Sequence, residues 1–242
     1  MKTLEAIKKE LGEYEGKNIK IMEVCGTHTS SIFKNGIRSL ISPRIQLISG
    51  PGCPVCVTAS SYIDRLVEYS LKDNHCVLTF GDMMKVKGHK LSLTEAKATG
   101  GNVKILYSPL SAVKIAIKSP ETQFIFAAVG FETTAPIYAL MIEEIIKNNI
   151  KNLKLMTSIK TIIPAISYIC ENEKNIDAFL CPGHVSVIIG SSVYTDMALK
   201  YRKPFVIGGF EGGHIIAAIY EIIRQISNNE YSMKNMYQSA VS

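Results

Sequence analysis

No stretch of this 242-residue chain is both long and apolar enough to span a bilayer. Its longest uncharged run, Ala178 to Thr195, contains Pro182, Gly183 and His184 and would break up as a helix. A signal peptide is missing too. Met1 to Gly12 is charged and amphipathic, with Leu4, Ile7 and Leu11 on one helical face, and it lacks an apolar centre and a cleavage site. The expected location is therefore the cytoplasm, with no membrane contact. Also absent is a basic stripe interleaved with aromatic residues: the net charge of +6 comes mainly from scattered lysines, and aromatics are 8% of the chain. Such a surface reads as solvated rather than as nucleic-acid-binding. No Walker-type loop occurs, and no G-x-G-x-x-G follows a strand pattern, so an ATP-using enzyme ranks last among the functional readings.

What is present begins with 47% apolar residues, enough for a full core in one or two domains. A short apolar run repeatedly ends in a Gly or Pro loop and gives way to an amphipathic helix pattern. The runs are Ile45 to Ser49, Cys76 to Phe80, Val103 to Tyr107, Phe124 to Val129, Ala178 to Leu180 and Phe205 to Ile207. Continuous apolar strands separated by helices predict parallel sheets covered on both faces, hence an α/β fold of two Rossmann-like lobes. Ligands in such sheets bind at the carboxyl ends of the strands. The Cys53 and Cys56 pair, Asp82, Glu132, His184 and Glu211 all lie just past a strand end and outline a candidate cleft. Lys118-Ser119-Pro120-Glu121 is polar and proline-broken, which sets the expected division at 1–118 and 119–242. After a helix over Ile215 to Ile226, the segment Ser227 to Ser242 is polar and aperiodic, and reads as a tail or a connection to a further segment.

Six cysteines in a chain of this kind argue for metal or redox chemistry rather than a disulfide framework. Cys53-Pro54-Val55-Cys56 sits between a strand and a helix expected over Thr58 to Tyr69, with glycines at 50 and 52. A thiol near a helix N-terminus is stabilised as thiolate and becomes a better ligand or exchange partner. Two buried cysteines beside a turn are the alternative. Cys25-Gly26-Thr27-His28 places a thiol and an imidazole three residues apart, a combination suited to Fe, Zn or Cu(I) with open coordination positions. Alone, a structural cysteine beside a hydrogen-bonded histidine explains it equally well. Cys181-Pro182-Gly183-His184 repeats the spacing, but a four-ligand zinc site with Cys25 and His28 is not expected, because the two pairs fall in different expected domains. Cys76 and Cys170 lie in apolar runs and read as core residues. Gly130-Phe131-Glu132-Thr133-Thr134-Ala135-Pro136 enters a helix expected over Ala135 to Ile146, with Thr133 or Thr134 as N-cap. Capping explains the threonines. An acidic residue at Glu132 it leaves open.

Taken in order, Met22 to Thr29, Gly50 to Val57, Phe80-Gly81-Asp82-Met83-Met84, Ser108-Pro109-Leu110, Gly130 to Pro136, Pro182-Gly183-His184-Val185-Ser186 and Gly209-Phe210-Glu211 resemble the motifs of the HypD family. The resemblance implies a maturation factor for [NiFe]-hydrogenases, a scaffold rather than a conventional turnover enzyme. Iron carrying cyanide and carbon monoxide would be assembled on it as Fe(CN)2CO, together with a HypC-type chaperone and HypE. By the same resemblance Cys25 is the iron-ligating thiolate, with His28 a ligand or its close partner, and Cys53 and Cys56 form a redox dithiol. Asp82, Glu132, His184 and Glu211 fall on cleft motifs without fixed individual roles. A free-standing thiol–disulfide oxidoreductase using Cys53 and Cys56 is the alternative function.

Several positions depart from the family pattern. Ser30 stands where a second histidine is common, Gly212-Gly213-His214 where Pro-Leu-Asp often follows Gly-Phe-Glu, and Lys87 where Pro is usual. A C-terminal segment with cysteines for a [4Fe–4S] cluster is also expected of the full-length family. Only three scattered cysteines remain after Cys25, Cys53 and Cys56, so no cluster is expected here, and the chain reads as either a piece of a longer protein or a short relative supplied with electrons from elsewhere.

Overall fold

The structure, a computed structural model, describes residues 2–242. The chain forms two compact units. One comprises residues up to Cys53 together with Ile162–Ser242, and the other is Pro54–Thr161. This differs from the expected division after residue 118: the strand that follows Pro120 pairs with the strand at His75–Thr79, so the polar break is a connection inside one sheet rather than a boundary between units.

The first, discontinuous unit contains α1 (Leu4–Gly12), β1 (Ile19–Glu23), α2 (Gly26–Lys34), α3 (Ile37–Leu40) and β2 (Ile45–Ser49). The second unit follows with α4 (Ser60–Ser70), β3 (His75–Thr79), a 3-10 turn at Gly81–Lys85, α5 (Leu93–Ala98), β4 (Val103–Ile105), α6 (Pro109–Lys118), β5 (Gln123–Gly130), α7 (Ala135–Lys147) and β6 (Leu153–Ile159). The chain then completes the first unit with α8 (Ile162–Asn172), β7 (Ala178–Cys181), α9 (Gly183–Ile189), α10 (Val193–Tyr201), β8 (Phe205–Ile207), α11 (Gly212–Ser227) and β9 (Met233–Asn235). Each unit is an α/β fold with an all-parallel sheet, in the order β2-β1-β7-β8-β9 in the first and β4-β3-β5-β6 in the second.

Strand side chains alternate between two cores, as a sheet buried on both faces requires. Along β1, Ile19 and Ile21 pack with Ile215, Ile219 and Ile222 of α11, while Met22 and the following Val24 pack with Ile166 of α8 and Tyr194 of α10. Along β5 the same alternation sends Ile125, Ala127 and Val129 to α4 and Phe124, Phe126 and Ala128 to α6 and α7.

Strand order reverses between β1 and β7 in the first unit and between β3 and β5 in the second. At such a switch point the loops leaving the two neighbouring strands diverge and open a crevice at their carboxyl ends. The loops flanking the first switch carry Cys25 and His184, and those flanking the second carry Asp82 and Glu132.

Two strands escaped the sequence reading. β6 is a sheet-edge strand of mixed polarity, and β9 adds parallel to β8 at the other sheet's edge, where one neighbour suffices and no apolar run is needed. The polar C-terminal segment is accordingly not a loose tail: β9 joins the sheet, and Val241 is buried in the core beneath α10.

Candidate metal and thiol site

β1 ends at Glu23, and after Val24 the chain reaches Cys25 in an extended conformation as the N-cap of α2. The cap is made by backbone alone: the Thr29 N–H donates to the Cys25 carbonyl at 3.1 Å, and no side-chain cap hydrogen bond forms. The thiol is free and 9% exposed, so it is largely covered without being sealed in a core cluster.

His28, in the first turn of α2, is completely buried. Its Nε2 lies 3.2 Å from the carbonyl oxygens of both Gly208 and Gly209, in the loop after β8. A carbonyl only accepts, so Nε2 carries the proton and Nδ1 is left as an unprotonated lone pair. Burial holds the ring neutral, pulling its pKa down to about 4 against the two carbonyl bonds, which act in the opposite direction. Nδ1 is itself buried and without a hydrogen-bond partner among the described residues. An unprotonated imidazole nitrogen of this kind is chemically able to ligate a metal ion.

Phe210 places its ring 4.8 Å from His28 and stacks at 4.1 Å on the exposed His184. It is anchored by the Ser31 hydroxyl, which donates to the Phe210 carbonyl at 2.5 Å. Glu211 follows as the N-cap of α11 and is exposed. Thus the first unit places Cys25, His28, His184 and Glu211 at the starts of three helices, α2, α9 and α11, which follow β1, β7 and β8 at the carboxyl edge of one sheet.

Cys53 reaches the same edge through Gly52. A Cβ on Gly52 would lie 2.7 Å from the Gly26 nitrogen and 2.8 Å from the Cys25 Cα, so the two loops touch backbone to backbone at a place only glycine can occupy. Cys53 and Cys56 are joined as a disulfide. The expected helix after them starts later than its sequence suggested, at Ser60, and the residues from Pro54 to Val57 form a turn, with the Thr58 hydroxyl donating to the Pro54 carbonyl at 2.8 Å. The cysteine that stands at a helix start is therefore Cys25, the N-cap of α2, rather than Cys53.

In the second unit Asp82 is exposed on the 3-10 turn after β3. Glu132 is half-buried between β5 and α7, with its carbonyl accepting from the Ala135 N–H. Thr134 is the N-cap of α7 but has helical backbone angles and makes no side-chain cap bond; instead it packs against Gly130.

The two Cys-x-x-His pairs share one unit, contrary to the reason given for separating them. What separates Cys181 from a metal site is its direction: it is fully buried among Met22, Val24 and Phe179, and burial pushes its thiol well above the ordinary range. Burial likewise raises Cys76, and it brings Cys170 up to about 11. Cys76 lies in the core of the second unit and Cys170 and Cys181 in that of the first, so these three thiols do not fit a four-thiolate cluster. Among the described residues no three His, Cys, Asp or Glu side chains converge on a metal-sized point. No helix of the described residues is long and apolar enough to cross a membrane.

The sequence reading missed Glu23. Its carboxylate is 1% exposed, accepts from the Thr29 hydroxyl at 2.6 Å and from the Ser49 hydroxyl at 2.7 Å, and is raised in pKa by burial against those bonds. The signal was an acidic residue at the end of an apolar run, similar to Glu132, an acidic residue in the turn of an apolar segment.

A profile of the HypD family, described as the hydrogenase formation hypA family, matches residues 1–242. The hydrogenase maturation factor HypD of Rhodobacter capsulatus is 38% identical over 233 residues, covering 96% of this chain and 62% of that protein. Its counterpart from Escherichia coli is 38% identical over 224 residues, covering 92% and 60%, and that of Cupriavidus necator is 35% identical over 235 residues, covering 94% and 62%. The chain thus spans about three fifths of the length of the curated relatives it matches.

Proposed function

We propose, from the premise that this chain belongs to the HypD family of hydrogenase formation proteins, that it is the iron-holding part of a maturation scaffold for [NiFe]-hydrogenases. The observation that carries this reading is the pairing on α2 of a free, barely exposed thiol at the N-cap with a neutral imidazole whose buried Nδ1 has no hydrogen-bond partner. Thiolate and imidazole suit ferrous iron, and one or two ligands from this chain leave the remaining positions for cyanide, carbon monoxide and a thiolate from a HypC-type chaperone. Iron is cargo here. It arrives, receives its diatomic ligands with HypE supplying cyanide, and leaves, work assigned to the cytoplasm.

The chain's own residues hold and orient. Gly208 and Gly209 fix the tautomer of His28, and Phe210 screens the imidazole from water on one face. The Cys53–Cys56 disulfide, in the loop that Gly52 presses against Cys25, can be reduced by an external dithiol, which gives up two electrons and two protons and leaves as its own disulfide, so that a pair of thiols stands in that loop. Co-expression with a HypC-type chaperone and HypE, followed by infrared spectroscopy, tests the reading: cyanide and carbonyl stretching bands on the purified complex support it, and an iron-free complex without bands contradicts it.

A second reading, a free-standing thiol–disulfide oxidoreductase, is favoured by one observation, the Cys53–Cys56 disulfide itself. Reduction of insulin by the isolated chain separates the two. Turnover comparable to a thioredoxin would establish the second reading, and inactivity alongside iron binding would reject it.

A further inference from the structure

Glu23 is an expensive residue for its place. It is the last residue of a central strand, is 1% exposed, and among the described residues has no cation within ion-pair distance. Arg38 exerts only a weak charge effect on it from beyond that distance, and a buried carboxylate without an ion pair is tolerated only where hydrogen bonds replace its hydration; an apolar side chain of the same size would serve the core better.

Its two hydrogen bonds join the two cysteine loops. Oε2 accepts from Thr29 Oγ1 at 2.6 Å, and Thr29 lies one helical turn beyond Cys25, its N–H bonded to the Cys25 carbonyl. Oε1 accepts from Ser49 Oγ at 2.7 Å, and Ser49 is the last residue of β2, from which Gly50, Pro51 and Gly52 lead to Cys53. The backbone repeats the link, the Gly50 N–H donating to the Glu23 carbonyl at 2.7 Å. One carboxylate therefore fastens the start of the Cys53 loop to the first turn of the Cys25 helix, the same two segments that meet at Gly52 and Cys25.

We infer that Glu23 is a positioning residue that sets the separation of Cys25 from Cys53, through the Thr29 and Ser49 hydroxyls. It touches neither iron nor electrons, and acts by holding the loop that bears each sulfur. The inference rests on the proposed function for what the site does, but its test needs no iron.

The full chain is prepared as parent, Glu23→Gln and Glu23→Ala. Three readouts are compared: the equilibrium of the Cys53–Cys56 pair in glutathione buffers, the rate of Cys25 alkylation by iodoacetamide, and thermal unfolding. Gln keeps one acceptor and gains a donor that either hydroxyl can accept, so Glu23→Gln stays within about twofold of the parent on the first two. Ala releases both loops, and Glu23→Ala shifts the glutathione equilibrium by about tenfold and the alkylation rate by a similar factor, at temperatures where it remains folded. A merely structural role would lower the melting temperature and leave both sulfur readouts within twofold, which would overturn the inference. Should Glu23→Ala fail to fold, Thr29→Val and Ser49→Ala cut the strap one hydroxyl at a time; a combined shift below twofold overturns the inference equally. Loss of iron binding by the parent would sink the proposed function and leave this result standing, whereas unchanged sulfur readouts would sink this inference alone.

Discussion

Gly52 lies against Cys25 so closely that a methyl group at position 52 would sit 2.8 Å from the Cys25 Cα and 2.7 Å from the Gly26 nitrogen. Both neighbours are backbone at a helix start, which cannot rotate aside as a side chain would. Gly52→Ala must therefore push the two loops apart. The expected cost is about 1–3 kcal/mol of stability, the range for forced overpacking, together with altered exchange at Cys53. Chemical denaturation and glutathione titration of the variant check both. Stability within 0.5 kcal/mol, roughly what a surface change gives, would show that the loops are not in contact.

The tautomer and burial of His28 have a consequence for pH. Its folded-state pKa is depressed from 6.5 to about 4, so below 6.5 the unfolded chain binds a proton that the folded chain refuses. Stability from this group is complete above pH 6.5 and is lost as pH falls from there towards 4, by roughly 3 kcal/mol in all. Glu23, whose pKa is raised, works in the opposite sense, its contribution present below the ordinary carboxylate value and lost above it, and it is common to parent and variant. His28→Gln should therefore show a flatter stability profile than the parent between pH 6.5 and 4. Parallel profiles from urea melts across that range would contradict the burial of a neutral imidazole.

Cys181 supplies a contrast with Cys25. Its thiol faces Met22, Val24 and Phe179 with no exposure at all. Cys181→Ser buries a hydroxyl among apolar groups and should cost about 1–3 kcal/mol, while iron retention by the folded variant stays at the parent level. Loss of iron without loss of stability would place Cys181 in the metal site.

Much of this was legible beforehand, for reasons that differ by element. Phe205–Ile207 is legible to the residue because an inner parallel strand is apolar on both faces, and Ile45–Ser49, although an edge strand, because its apolar run stops at Gly50-Pro51. His184 could be placed near a strand end because it follows the run Ala178 to Leu180 after Cys181-Pro182-Gly183. β6 and β9 could not, since an edge strand has one neighbour and carries polar residues freely. The unit boundary was invisible for another reason. The return of Ile162–Ser242 to the sheet of β1 is a long-range pairing, with Ile21 beside Ala178 and Glu23 beside Leu180, and nothing local marks it. For Glu23 the sequence shows an acidic residue ending an apolar run, but its pairing with Thr29 and Ser49 is a product of the fold, since Ser49 lies on the neighbouring strand.

The most direct test of the central claim is iron content. Parent and Cys25→Ala are purified anaerobically with a HypC-type chaperone, and iron is measured per complex alongside a folding check by circular dichroism. The account predicts close to one iron in the parent complex and at least a tenfold loss, about 1.4 kcal/mol or more in affinity, in a folded Cys25→Ala. Equal iron in the two would contradict it.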